Sequence, residues 1–296
     1  MGLDETFKKI SFIMLTIVVM LLVSACGNSN TASGTTTKKE ITIGYIPWDE
    51  AVAVTFLWKE LLEEKGYKVK AVQSDVAPLF SGVAQGNIDL FLDVWMPTTH
   101  SSYMKRFGKQ VDVLGTWYDQ ADSGLAVPDY VDAQSIGDLK NKKGEFNGKI
   151  ISIEPGSGIN GLTKDHAMPS YGLTDWNLVE SSTAAMLSEL DKAIANKEPI
   201  VVTLWRPHWA FEKYNLRYLK DPKNTMNPTG PEKIQSISKK AFKEDYPEAA
   251  KWLKDFSISA DQLASLESEI NSAKDETKGV KNWISKNKKV TESWVK

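Results

Sequence analysis

From residue 40 onward, apolar and polar positions change period in a regular order. Ile41, Ile43 and Tyr45 stand at every second position, which predicts a buried strand. A three-to-four-residue spacing of apolar positions then predicts a helix that begins near Asp49 and ends at Gly66. A strand, a short helix and a third strand are predicted at residues 67–72, 78–84 and 89–94. This alternation of strands and helices predicts a parallel sheet covered by helices.

The same order recurs in the middle of the chain. Alternating strands and helices are predicted at residues 149–153, 159–168, 176–180, 183–196 and 199–204. A Trp-x-Pro segment, starting at Trp95 or Trp205, follows the third strand of each unit. The spacings also agree, since 47 positions separate Trp48 from Trp95 and 47 positions separate Gly158 from Trp205. The repeated order predicts two similar α/β lobes.

Two further strands are predicted to connect these lobes. Residues 123–127 are interpreted as a strand crossing from the first lobe to the second, and residues 234–237 as the return crossing. The helical C-terminus is expected to pack on the first lobe. The predicted domains are lobe 1 (residues 40–123 plus 237–296) and lobe 2 (residues 124–236). Two hinge strands would leave a cleft between the lobes, and open parallel sheets bind ligands outside the carboxyl ends of their strands.

The N-terminal region carries the pattern of an export signal. Residues 10–23 form an uncharged, mostly apolar run that is shorter than the roughly 20 residues of a transmembrane helix. The run ends in Leu22-Val23-Ser24-Ala25-Cys26, which resembles a bacterial lipobox. Residues 1–25 are therefore predicted to be a signal peptide, Cys26 the lipidated residue and residues 26–39 a flexible linker. The predicted product is lipid-anchored on the extracytoplasmic face of the cell membrane.

Composition excludes several classes of protein. The 296 residues include 36 Lys and Arg against 38 Asp and Glu, a net charge of -2 that gives no electrostatic reason to bind nucleic acid. One Cys cannot form an internal disulfide or a cysteine zinc site. The three His are too scattered to predict a metal cluster. We expect a monomer that binds no nucleic acid, metal or cofactor.

Ten Trp are present, and three of them stand at equivalent strand ends. Trp48, Trp95 and Trp205 come from both lobes and can converge on one small volume. An indole face attracts a cation by roughly 0.5–2 kcal/mol. A quaternary ammonium has no N–H to donate, so an aromatic cage suits its diffuse charge and apolar methyl groups. For Trp209 the sequence favours support of the cage over contact with the ligand. Core packing is expected for Trp58, Trp117, Trp176, Trp252, Trp283 and Trp294.

A second group of residues suits a carboxylate. Gly156-Ser157-Gly158-Ile159 begins a predicted helix, where glycine permits close approach and the first amides have no intrahelical partner. We expect the amides of Gly158 and Ile159 to bind a carboxylate, and His100 to donate a third hydrogen bond. A cation cage beside a carboxylate site describes a zwitterion with a trimethylammonium group, such as glycine betaine.

These residues also carry a resemblance to a known family, the glycine betaine-binding lipoproteins of osmoprotectant ABC importers. The resemblance extends over residues 40–296. The matching segments are Gly44-Tyr45-Ile46-Pro47-Trp48-Asp49-Glu50, Asp93-Val94-Trp95-Met96-Pro97-Thr98-Thr99-His100, Glu154-Pro155-Gly156-Ser157-Gly158-Ile159 and Leu204-Trp205-Arg206-Pro207-His208-Trp209.

The resemblance implies a two-lobed α/β fold of the periplasmic-binding-protein-like type II class. It implies a prism of three Trp around the trimethylammonium group, at Trp48, Trp95 and Trp205. It further implies that Gly158, Ile159 and His100 hold the carboxylate. The implied activity is that of a non-enzymatic, extracytoplasmic substrate-binding protein that delivers its ligand to an ABC permease driven by a partner ATPase.

The shared motifs do not decide among related ligands. Glycine betaine and proline betaine are expected, with carnitine or choline as alternatives on the same fold. A more distant alternative is an esterase with Ser157 as nucleophile and His100 as base, although Ser157 does not lie in a five-residue G-x-S-x-G elbow. A binder of methylated protein tails would also use an aromatic cage, but the carboxylate site and the hinged lobes argue against it.

Overall fold

A computed structural model of the chain describes residues 39–296. The predicted signal peptide, the predicted lipidation site Cys26 and nearly all of the predicted linker lie outside these residues. No helix within residues 39–296 is both long enough and apolar enough to span a membrane.

The first half of the fold is a parallel strand–helix unit followed by one long strand. Its elements are β1 (Glu40–Tyr45), α1 (Asp49–Glu64), β2 (Lys68–Gln73), α2 (Val76–Gln85), β3 (Leu90–Met96), α3 (Ser101–Phe107) and β4 (Val111–Pro128). β1 is the centre of the unit, because it pairs in parallel with β2 on one side and β3 on the other. α1 covers the sheet with an apolar face that buries Leu57, Trp58 and Leu61. Asp49 and Glu50 occupy its first turn, where carboxylates suit the helix dipole.

The second half repeats this arrangement. Its elements are β5 (Lys149–Ile151), α4 (Gly158–Gly161), β6 (Asn177–Val179), α5 (Thr183–Asn196), β7 (Val202–Arg206), α6 (Ala210–Lys213) and β8 (Leu216–Tyr218). β5 is again central, with β6 and β7 as parallel neighbours. The helix that starts at Gly158 continues beyond α4 through a π-helical stretch, Leu162–Ala167, to Ser170. The N-terminus of α5 is capped by Ser182, whose side chain accepts from the Ala185 amide.

β4 joins the two halves of the sheet. Its first part pairs with β9 (Glu232–Lys239), and from Asp122 onward it pairs with β7 and β8. The resulting strand order is β2-β1-β3-β9-β4-β7-β5-β6, with β8 added to β4. β9 pairs with β3 and β4, so the predicted crossing strand at residues 234–237 lies between these two strands of the sheet. The predicted domain bounds stay a prediction.

The C-terminal helices pack against the first half. They are α7 (Phe242–Asp245), α8 (Pro247–Asp255), α9 (Ala260–Ala273), α10 (Glu276–Lys286) and α11 (Lys288–Trp294). α9 and α10 contact each other and α1, and α8 contacts β4. Five of the six Trp expected in the core are buried, and Trp294 is partly buried and stacks on Trp283. Together these elements form the mixed α/β, periplasmic-binding-protein-like fold that the sequence predicts.

Candidate functional site

Residues at the carboxyl ends of β1, β3, β5 and β7, and in the segments that follow these strands, line one cavity of about 290 Å³. The structure brings all six residues predicted to bind the ligand into its lining: Trp48, Trp95, His100, Gly158, Ile159 and Trp205. Five residues that the sequence did not indicate as ligand contacts complete the lining: Glu50, Thr99, Ser123, Ile153 and Ser157. Contact between these residues and a ligand stays a prediction.

The two halves touch around this cavity, so the cleft is closed. The three cage Trp are between 3% and 4% exposed. A β-carbon on Gly158 would lie 2.1 Å from the carbonyl oxygen of Thr99 in the first half. The Tyr103 hydroxyl donates to the carbonyl of Gly156 at 2.8 Å. Only a residue without a side chain at position 158 permits this approach of the second half to the first.

The indole N–H of each cage Trp donates to a carboxylate at the edge of the cage. These bonds hold the ring orientations and leave the ring faces free for a cation, because an indole N–H is the only polar group of the side chain. The pairs are Trp48 with Glu154 at 3.0 Å, Trp95 with Asp93 at 2.9 Å, and Trp205 with Glu50 at 2.8 Å.

Two of these carboxylates are fully buried, and burial raises their pKa. Desolvation raises the pKa of Asp93 to about 7. The pKa of Glu50 also lies well above its usual range, first because of burial and then because of the negative charges of Asp93 and Glu267. A cation inside the cage would favour the ionised form of both groups, since opposite charges stabilise each other strongly where water is excluded.

His100 is arranged as a neutral hydrogen-bond donor. The backbone N–H of Trp95 donates to its Nδ1 at 2.9 Å, so Nδ1 carries no proton and Nε2 does. Nε2 is buried and has no partner among the described residues. Burial lowers the pKa of His100 to about 3, which keeps the ring uncharged at neutral pH. The ring also stacks on Trp48, with centroids 5.7 Å apart.

The segment after β5 supplies further donors. The amides of Gly158 and Ile159 open the helix that starts there, where backbone N–H groups lack intrahelical partners. The Ser157 hydroxyl is buried beside them and has no hydrogen-bond partner among the described residues. The cavity lining therefore includes both uncharged donors and aromatic faces.

The neighbours of the cage make contacts that the sequence does not indicate. Asp49 lies in the first turn of α1, directly after the N-cap residue Trp48, and its carboxylate accepts from the Trp209 indole. Trp209 lies outside the cavity lining. The sequence does not identify Glu50 and Glu154 as hydrogen-bond partners of the cage, since neither spacing nor residue type indicates which indole a distant carboxylate will contact.

The site lacks the features of a serine esterase. The Ser157 hydroxyl and Nε2 of His100 are both without a hydrogen-bond partner, so they are not bonded to each other as a nucleophile and its base would be. Nδ1 of His100 accepts from a backbone amide, which leaves no place for an orienting carboxylate. Within residues 39–296, no group of three or more His, Cys, Asp or Glu side chains is placed to hold a metal ion.

Comparison with characterised proteins agrees with this geometry. The chain is 41% identical over 161 residues to the glycine betaine/carnitine transport binding protein GbuC of Listeria monocytogenes, an alignment that covers 53% of each chain. The chain thus spans about half the length of this curated relative. Crystallised lactococcal OpuAC, closed around glycine betaine, is 37% identical with a TM-score of 0.81, over 87% of this chain and 100% of that one.

A second solved structure gives a similar result. The glycine betaine/L-proline-binding protein ProX of Borrelia burgdorferi is 31% identical with a TM-score of 0.82, over 87% of this chain and 97% of that one. Residues 39–286 match the family described as the substrate binding domain of the ABC-type glycine betaine transport system. This family consists of non-enzymatic transporter components, and the chain belongs to it.

Proposed function

We propose that this protein binds glycine betaine, and also proline betaine, in the closed cavity and delivers it to an ABC importer. The faces of Trp48, Trp95 and Trp205 surround the trimethylammonium group. The carboxylate accepts from the amides of Gly158 and Ile159, from Nε2 of His100 and from the Ser157 hydroxyl. The observation that carries the proposal is that three indole faces and these unpartnered donors line one cavity of about 290 Å³.

The two kinds of group in the cavity lining suit the two ends of a betaine. Each indole face contributes roughly 0.5–2 kcal/mol towards a desolvated cation. Hydrogen bonds to an ionised carboxylate are stronger than those between neutral groups. A micromolar dissociation constant corresponds to about −8 kcal/mol, which these contacts can supply after the costs of ordering and closure. Because the ligand touches both halves, it favours the closed state over an open one.

The remaining parts of the proposal concern the place of the protein in the cell. The ligand-loaded, closed form is recognised by a membrane permease whose ATPase partner drives import. The segment ending at Cys26 supports export and lipidation of that cysteine, with the protein held as a monomer on the extracytoplasmic face of the cell membrane. Residues 40–123 with 237–296, and residues 124–236, act as the two lobes of the clamp.

Carnitine is a second candidate ligand. It shares the trimethylammonium group and the carboxylate with glycine betaine, and GbuC carries both ligands in its name. Its longer chain must fit between the cage and the donors, which lie within one small cavity. We therefore expect carnitine to bind more weakly than glycine betaine.

A fluorescence titration tests the proposed function, because the cage indoles report directly on the bound ligand. The mature protein is titrated with glycine betaine, proline betaine, carnitine, choline and proline. We expect the two betaines to bind most tightly, choline to bind weakly because it lacks a carboxylate, and proline not to bind. Equal affinity for proline would refute the quaternary-ammonium cage, and equal affinity for choline would refute the carboxylate site.

A further inference from the structure

Two of the three cage indoles are fixed from the opposite side of the cleft. Trp48 belongs to the first half and donates to Glu154 of the second. Trp205 belongs to the second half and donates to Glu50 of the first. Trp95 differs, because its partner Asp93 lies two residues away on the same strand. The cage thus contains two reciprocal bonds that cross the cleft and one bond that does not.

The two crossing carboxylates are anchored differently in their own half. Glu154 accepts from the backbone N–H and the hydroxyl of Thr183, each at 2.8 Å, at the start of α5. Glu50 lies in the first turn of α1 and is 1% exposed. Each carboxylate therefore lies on a defined element of its own half, and its indole partner reaches it only when the halves come together.

We propose that Glu50 and Glu154 are positioning residues that make the complete cage conditional on closure of the cleft. The inference rests on the proposed function of the cavity. In an open cleft, Trp48 and Trp205 lose their edge acceptors and their rings are free to turn. Closure restores both bonds and aligns both faces on the cation. Release of the ligand then requires two indole–carboxylate bonds to break together with the ligand contacts.

This arrangement predicts a kinetic signature. The crossing bonds form after the ligand has met the open cleft, so they should slow dissociation and leave association nearly unchanged. A hydrogen bond to a charged group contributes enough to slow dissociation about tenfold. The bond between Trp95 and Asp93 exists in both states and should not contribute in this way.

Three matched substitutions separate the two kinds of bond. Trp48→Phe, Trp205→Phe and Trp95→Phe each keep an aromatic face and remove the indole N–H. Stopped-flow fluorescence with glycine betaine measures association and dissociation for each. We expect dissociation to accelerate about tenfold more in the first two variants than in Trp95→Phe, since only these two lose a bond across the cleft. Equal acceleration in all three variants would overturn the inference.

A double-mutant cycle shows whether Glu154 acts through the indole. Glu154→Ala is combined with Trp48→Phe, and thermal melts verify that every variant is folded. If Glu154 positions Trp48, its substitution costs about tenfold in dissociation rate in the wild-type background and little once the N–H is gone. Additive losses would assign Glu154 a purely structural role through Thr183 and overturn the inference. Ser265→Ala, which removes the acceptor of the remote Trp283 indole, is the control and should leave both rates unchanged.

The outcomes distinguish this inference from the function on which it depends. Failure of the wild-type protein to bind glycine betaine would refute the proposed function and the inference with it. Normal binding by the wild type with an additive cycle would refute the inference alone.

Discussion

The two halves of the fold present different chemistry at one turn of the same scaffold. In each half the first strand of the unit is central, and the third strand carries a Trp as its second-to-last residue. The turns after the two central strands differ. The turn after β1 presents the indole of Trp48, whereas the turn after β5 presents the backbone of Gly158 and Ile159.

The repeated topology thus sets the position of each turn, and the residues of the turn set the chemistry that it offers. A bulky aromatic ring covers the backbone and offers its negative face to a cation. A glycine exposes backbone amides that an anion can reach. Two similar units can therefore bind the two ends of one zwitterion, provided that the cleft closes and brings the turns together.

The largest expected effect on glycine betaine affinity comes from adding a methyl group at Gly158. In Gly158→Ala the added β-carbon would meet the Thr99 carbonyl oxygen, which would stand 2.1 Å away. Closure is then blocked, and we expect glycine betaine affinity to fall about a hundredfold or more, as removal of several ligand contacts together implies. Isothermal titration calorimetry measures the loss.

A neighbouring glycine provides the matched control for that substitution. A β-carbon on Gly161, in the same helix, would meet nothing within 4 Å. Gly161→Ala should therefore bind glycine betaine as the wild type does. Retained affinity in Gly158→Ala would show that the close approach of the two halves is unnecessary.

A smaller effect is expected from removing one ring of the cage. Trp95→Ala should weaken glycine betaine binding about tenfold or more, because it removes a cation–π face and leaves Asp93 without its partner. Choline should lose affinity by a similar factor, since it shares the trimethylammonium group. Competition titrations check both values, and unchanged affinity for both ligands would contradict the cage.

The smallest expected effect is a pH dependence of glycine betaine affinity, caused by the carboxyl groups next to the Trp cage. Asp93, with its pKa near 7, and the coupled Glu50 ionise more readily when a cation occupies the cage, so binding releases protons. Affinity should therefore rise with pH, by about threefold between about pH 6 and pH 8 for a fraction of one proton released. His100 does not contribute there, because its pKa is lowered to about 3.

Calorimetry in buffers of different ionisation enthalpy measures this proton release. Asp93→Asn should reduce both the release and the rise in affinity, while its amide oxygen can still accept from Trp95. A wild-type affinity that is constant or falls as the pH rises would contradict the assignment of the raised pKa values to the cation side.

Local signals were strong enough to predict most of the scaffold. Two helices predicted from the spacing of apolar residues, the one after Trp48 and the one over Thr183–Asn196, are present in the structure. β4 was recognised only over its last residues, because its first part alternates weakly and lies between bulges in its pairing with β9. The pairing of β9 with β3 and β4 is likewise not indicated by the sequence, since strand pairing between distant segments leaves little trace in local sequence.

The sequence by itself determined which chemistry each turn offers. Residue type, and position after a predicted strand, identify the site residues Trp48, Trp95, Trp205, Gly158 and His100. This is possible because an indole face, a free backbone amide and an imidazole each have a fixed preference for the charge of a ligand. The tertiary structure alone decided how these groups are held. The bonds of Trp48 to Glu154 and of Trp205 to Glu50 join residues more than a hundred positions apart, and only the packing of one half on the other brings them within hydrogen-bond distance.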